Sequence, residues 1–405
     1  MNIKHIVEKY VWWNKLHLNI VATLVSIFLG FSFVLSDWIY GYFTFAEYIF
    51  FIILITLIFT FNLVIYKQDV IWLGISSFLL GIHLVIHYNF NSDFDLSIGT
   101  TNAIKFVFYL FFIILMKNFI QTHKSHRPIL YWQNILAVII LLIGVYITYE
   151  LYSGSRIPHE VFWQFTRRDI YSYFFESNPE IIRTRSIFSE PAHLGFYLIT
   201  ILSINLFGPI TNRLTRFFSL ILSIGVFLTF SYSMIGVLCV IYSLKVLDLF
   251  LKGELKWGSW MWLVVISIFI VSLLYWDTIE TTIIDRSIAI VSGQDISARM
   301  RLLDSWQYVN KGNLLHGNGI GHTPTITNIY AYILSDFGIF GFIAICLMTY
   351  KLVKKNIYIG SIFFMLNMTK GGYLSSGFWL MVLLFVVFSD TNISQRLNNS
   401  TNSVL

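Results

Sequence analysis

The stretch Phe43 to Ile65 reads FTFAEYIFFIILITLIFTFNLVI, and Glu47 is its only charge. A run of this length, wound as a helix at about 1.5 Å per residue, crosses a hydrocarbon layer roughly 30 Å thick. Similar apolar runs lie at about 16–36, 70–90, 103–121, 130–152, 192–209, 216–231, 233–251, 259–276, 326–350, 356–369 and 373–389. Together they predict an all-α polytopic integral membrane protein of about twelve transmembrane helices, with 1–405 as a single integral membrane domain. Composition agrees. Hydrophobic residues make up 57% of the chain, charged residues 12%, and the mean hydropathy is +0.71; a soluble chain carries about twice that charge. An aromatic content of 18% suits belts at the lipid headgroups.

Charge then orients the spans. Under strict alternation, sixteen of the 27 lysines and arginines fall on one side, from Lys4, Lys9 and Lys15 through Lys351, Lys354 and Lys355 to Arg396. By the positive-inside rule that side is cytoplasmic, with both termini on it. These lysines account for most of the net charge of +6, so no nucleic-acid partner is called for. The basic N-terminus lacks a small-residue cleavage site and reads as leading into an uncleaved first span. Cys239 and Cys346 sit within apolar runs, so neither a disulfide nor a thiol–metal site is implied. The polar segment 392–405 reads as a disordered cytoplasmic tail.

Two long loops fall on the opposite, outward side, at 153–191 and 277–325. They hold eight arginines, against four on the cytoplasmic side, and Lys311 is their one lysine. Positive charge placed where insertion disfavours it points to a use, and arginine's planar fork matches phosphate oxygens as lysine cannot. The aromatic stretch Phe162 to Phe175 reads as an interfacial helix or a platform for sugar faces, with Arg167, Arg168 and Asp169 on its solvated side. Arg183 and Arg185 stand just before a span that opens with Glu190 and Pro191, where proline at the first position and a carboxylate suit capping. His193, one turn into that span, reads equally as a packed core residue.

The stretch Asp295 to Gly312 of the second loop reads as a helix with a polar N-cap and Gly312 past its end. Arg299 and Arg301 project about 200° apart on it. Arg301 has Asp304 three residues on, a local ion-pair partner, which leaves Arg299 as the preferred phosphate ligand. The turn Gly317-Asn318-Gly319-Ile320-Gly321 could offer backbone N–H groups to an anion. The almost loop-free junction Ser231-Tyr232-Ser233 predicts a tight turn or a broken helix.

On these residues the chain resembles the O-antigen polymerase family within the wider O-antigen ligase superfamily. The resemblance rests on Arg183 with Ser186 to Pro191 and Gly195, on Leu228 to Ser233, on Arg299 to Trp306 with Gly317 to Gly319, and on Thr327 to Tyr330 with Asp336 to Gly341. It covers about residues 180–345, and its specificity lies in the order of short motifs. There are departures. Thr327 stands where the superfamily often has histidine, Tyr232 where it often has arginine, and the arginine–ten residues–glycine spacing is met by Arg301 and Gly312 but not by Arg183 or Arg185 with Gly195.

What the resemblance implies is a metal-independent glycosyltransferase of the bacterial cytoplasmic membrane that polymerises oligosaccharide units carried on undecaprenyl pyrophosphate. Arg183, Arg185, Arg299 and Arg301 would bind the pyrophosphate, and Glu190, His193 or His322 would act as base. No cofactor is implied. Membrane lipids, a flippase and a chain-length regulator would be its partners. The competing readings are a ligase of finished glycan, a flippase for the same lipid-linked units, and a metal-dependent transferase using Asp93 and Asp95.

Overall fold

The computed structural model describes residues 20–154, 159–167, 173–175, 178–253, 276, 280, 284–370 and 372–390. Eleven of the twelve apolar runs carry a helix; the run 259–276 lies, but for its last residue, outside the described residues, as do 1–19, Arg156, Arg168, Asp169 and the tail 392–405. In chain order the helices are α1 (Ile20–Val34), α2 (Phe45–Phe59), α3 (Lys67–Phe90), α4 (Leu96–Thr122), α5 (His126–Ser153), α6 (Pro191–Phe207), α7 (Arg213–Leu228) and α8 (Tyr232–Leu251). Two short helices follow, α9 (Asp285–Val291) and α10 (Ile296–Leu302), and then α11 (Ile329–Lys355), α12 (Ile357–Thr369) and α13 (Ser376–Phe388). Strand is confined, among the described residues, to two small hairpins, β1 (Ile39–Tyr40) with β2 (Phe43–Thr44) and β3 (Phe174–Phe175) with β4 (Asn178–Ile182). The chain is an all-α, membrane-embedded protein. Five of its helices, α3, α4, α5, α8 and α11, are long and apolar enough to cross a bilayer.

Local chemistry sets the helix ends. Thr44 and Glu47 close a reciprocal capping box at the start of α2. Asp95, Asn212, Asn328, Asn356 and Ser375 accept backbone N–H groups at the starts of α4, α7, α11, α12 and α13. The expected break near Ser231 is a tight turn: α7 ends at Leu228, Phe230 takes a positive φ of 44°, and α8 begins at Tyr232.

α6 is the axis of the bundle. It is buried over nearly its whole circumference and packs on α5, α7, α8, α12 and α13. α3 is the opposite case: it packs chiefly on α4 and turns Trp72, Phe78, Leu79 and Val85 outward. Exposed apolar side chains of this kind face lipid. The buried carboxylate of α2 is paired, as hydrocarbon favours: Lys105 Nζ lies 2.9 Å from Glu47 Oε1.

α11 contains one residue far from helical geometry, Gly338, at φ 67° and ψ −160°. A Cβ there would sit 2.4 Å from the Leu315 carbonyl oxygen, so only glycine fits. The break lets the loop preceding α11 dock, with Ile339 N–H donating to Leu314 O at 2.9 Å. The stretch expected to run as one helix from Asp295 to Gly312 is shorter. α10 stops at Leu302 and gives way to 3₁₀ turns at Asp304–Tyr308 and Lys311–Asn313.

Candidate functional site

Residues from five separate parts of the chain meet at the face carrying the loops 153–191 and 277–325. They enclose a cavity of about 340 Å³ whose lining includes the side chains of Asp37, Glu190, His193, Arg301 and Lys370, with Thr327 at its wall. Asp37 follows α1, Glu190 and His193 open α6, Arg301 comes from α10, and Lys370 caps α12.

The acidic side is well ordered. Asp37 Oδ2 accepts a hydrogen bond from His193 Nδ1 and a second from Ser189 Oγ at 2.9 Å, and Ser189 Oγ lies 2.7 Å from His193 Nδ1. Burial alone would raise the Asp37 carboxyl. The neighbouring His193 and the Lys370 ammonium, with the two hydrogen bonds, hold it instead well below the usual carboxylate range. Glu190 occupies the N-cap position of α6 with Pro191 at the first turn, but its side chain does not cap. It reaches Arg167, with Oε1 3.4 Å from Nη1.

The cationic side has the opposite character. Among the described residues, neither the Arg301 guanidinium nor the Lys370 ammonium makes an ion pair or a hydrogen bond; Lys370 Nζ lies over the Phe196 ring at 5.1 Å. Burial pushes the Lys370 ammonium down to about 8, Asp37 and Glu190 pull it back up, and Arg301 lowers it. Burial likewise lowers Arg301, which Arg286 reinforces and Glu190 and Asp295 oppose. Asp37 and Glu190 are engaged by nearer partners, so two partly buried cations remain for an external anion. Asn328 steadies this side: its Oδ1 caps α11 and its Nδ2 donates to the Arg301 carbonyl at 3.4 Å.

The arginines divide otherwise than expected. Arg299, read from the sequence as unpaired, has its Nε 3.1 Å from Asp304 Oδ2 and points to the outside. Arg301, read as the partner of Asp304, faces the cavity. The short helix α10 and the 3₁₀ turn after it swing Asp304 under Arg299. Arg185 is wholly buried and stacks on Trp163 and Tyr173, at 4.4 and 4.6 Å from the ring centroids. It donates to Ser189 O at 3.1 Å and Arg167 O at 2.7 Å, so it organises the loop around Glu190 from behind. Arg183 donates through Nε to Thr229 O at 3.5 Å, which ties the same loop to the α7–α8 turn. Neither Arg183 nor Arg185 lines the cavity. The aromatic stretch accordingly forms a 3₁₀ turn (His159–Trp163) and the β3–β4 hairpin around Arg185, where a helix or a sugar platform was expected.

His322 lies elsewhere. Its Nε2 accepts from Asp95 N–H at 2.8 Å, its Nδ1 donates to Ile320 O at 3.1 Å, and its ring stacks on Phe94. Both nitrogens are occupied in joining two loops. Asp95 itself caps α4. The N–H groups at the end of the glycine turn are taken up by the protein itself: Gly321, and Thr323 just beyond the turn, donate to the Asp336 side chain at 2.9 and 3.0 Å.

Asp37, Ser189 and Lys370 were not picked out from the sequence. Lys370 did leave a signal, since alternation places it on the arginine side of the membrane, against the charge rule. Asp37 left none, because 156 residues separate it from His193. No protein-family model matches this chain, and no curated protein matches it.

Proposed function

We propose that this protein joins lipid-linked oligosaccharide units by glycosyl transfer at the outer face of the bacterial cytoplasmic membrane, as a polymerase of surface-polysaccharide repeat units. The observation that carries this reading is the cavity itself, which Arg301 and Lys370, making no ion pair or hydrogen bond through their charged groups among the described residues, line together with the base-capable Glu190 and His193. In such a transfer the undecaprenyl pyrophosphate of the donor leaves as an anion and needs its growing charge stabilised. Fixed cations lining the cavity supply that, and a nearby base takes the proton of the acceptor hydroxyl. In this reading twelve spans with both termini cytoplasmic would turn the loop face outward, where polymerisation would meet units delivered by a flippase, with a chain-length regulator as a further partner. The resemblance over residues 180–345 supports the same reading, because Arg301, Glu190 and Thr327 of its motifs reach the cavity wall.

The deciding experiment is the polysaccharide ladder of a strain lacking the protein. Single repeat units capping the acceptor are the expected result. Free long chains would instead mark a ligase, and unprocessed units retained on the cytoplasmic side a flippase; either would overturn the polymerase reading.

The lysine adds a dependence on pH. The ammonium is the charged form, so anion capture is complete below a pH of about 8 and weakens as the pH rises past it. Titrating inorganic pyrophosphate onto the detergent-solubilised protein should show affinity falling across that window. Lys370→Arg, which stays charged throughout, should remove the fall. An unchanged alkaline fall in Lys370→Arg would assign it to another group.

A further inference from the structure

We propose that Asp37 and His193 form a catalytic dyad in which Asp37 orients the imidazole and His193 Nε2 removes the proton of the acceptor hydroxyl. This rests on the glycosyl-transfer reading above and chooses among its candidate bases. Three observations carry it. The imidazole bonds through Nδ1 to the Asp37 carboxylate, which sets the tautomer with the proton on Nδ1 and the lone pair on Nε2. Ser189 fixes the pair from the side, donating to Asp37 Oδ2 at 2.9 Å while touching Nδ1 at 2.7 Å. His193 lines the cavity and is 26% exposed, and among the described residues no group occupies its Nε2. Glu190, the rival base, is held by Arg167 and is 47% exposed, so water and a guanidinium compete for its oxygens.

The elements that build the dyad also explain its rigidity. Asp37 sits between α1 and β1, where the Trp38 indole donates to Ile187 O at 2.9 Å and ties that link to the loop before α6. Pro191 starts α6, and His193 projects from its first turn, one helical turn from Ser189. Arg185 holds the Ser189 carbonyl at 3.1 Å. The carboxylate and the imidazole are thus positioned by two connected backbones, each anchored away from the cavity.

The step balances as follows. The acceptor hydroxyl oxygen attacks the anomeric carbon of the donor sugar and forms the new glycosidic bond. The bond from that carbon to the diphosphate oxygen breaks, and its electron pair leaves with the diphosphate. The hydroxyl proton passes to His193 Nε2, the resulting imidazolium is stabilised by Asp37, and the proton then leaves to solvent. In this step the charge of the leaving diphosphate is met by Arg301 and Lys370, which line the same cavity as His193.

The test uses the full chain in lipid nanodiscs and lipid-linked units extracted from a strain lacking the protein. Asp37→Asn and His193→Gln should each lower kcat by about two to four orders of magnitude with little change in KM. The double variant should lose little beyond His193→Gln alone, because the two side chains act as one unit. Asp37→Glu should recover part of the rate. Losses that multiply in the double variant, or an Asp37→Asn protein that keeps most of its kcat, would overturn the dyad. A second readout does not depend on turnover. Diethylpyrocarbonate should modify His193 in the wild type, as mapped by mass spectrometry, and Asp37→Asn should change the rate several-fold. An inert His193 would overturn the dyad even in an active polymerase. A wild type that labels as expected but elongates nothing would overturn the polymerase reading and, with it, the assigned step.

Discussion

Arg301→Lys should reduce polymer formation by about two orders of magnitude with the protein level unchanged, whereas Arg299→Lys should leave both near wild type. The two arginines are separated by one residue, yet α10 sends them in different directions. Arg301 faces the cavity beside Lys370, and its guanidinium has no ion-pair partner among the described residues. Arg299 spends its fork on Asp304 at 3.1 Å and is 54% exposed, a setting in which an ion pair contributes little. A lysine at 301 would restore charge but not the two parallel N–H groups that hold phosphate oxygens. Measuring ladder length and immunoblot intensity in the same strains separates chemistry from abundance. Full-length polymer from Arg301→Lys, or an equal loss from Arg299→Lys, would remove Arg301 from the proposed diphosphate site.

The second large effect is on folding. Arg185→Met should destabilise the loop-face structure by about 3–5 kcal/mol, through the loss of charge-assisted hydrogen bonds and two cation–π contacts. The guanidinium is fully buried between Trp163 and Tyr173 and donates to two carbonyls of the loop, those of Ser189 and Arg167. Removing it leaves those carbonyls and both rings around a hole. The expected signature is a lower unfolding midpoint in detergent, followed by tryptophan fluorescence, together with a fall in abundance. Polymer should fall in proportion to the protein remaining, unlike the Arg301 variant. Wild-type stability in Arg185→Met would mean that the stacked arginine is not what holds this loop.

Both expectations depend on contacts that no local reading could assign. Arg185 and Arg301 look alike in the chain: each has another arginine two residues away in a long loop. What separates them is where the loop folds back. The aromatic residues Trp163 and Tyr173, read locally as an interfacial surface, close over Arg185 because a buried cation needs a π face or an acceptor. Arg301 escapes that fate because α10 ends at Leu302 and the following 3₁₀ turn carries Asp304 towards Arg299. A seven-residue helix cannot be placed from periodicity to that accuracy.

The glycine-rich turn teaches the same lesson from the other side. Its composition suggests backbone N–H groups open to an anion, and three of its glycines take positive φ. The partner is Asp336 on α11, so the turn is a docking device for the break at Gly338 and not a substrate cradle.

By itself the sequence determined the membrane class, the helical runs and the enrichment of arginine in two loops. Each of these is a one-dimensional property: apolar length against bilayer thickness, and charge summed by side. The tertiary structure alone decided which charges meet. It brought Asp37 from the first loop, Lys370 from the last and His193 from the middle of the chain to one cavity, and it turned Arg183, Arg185 and Arg299 away from it. Hydrocarbon leaves a buried charge few partners, so packing assigns them one by one, and that assignment is written in distances between helices and not in spacing along the chain.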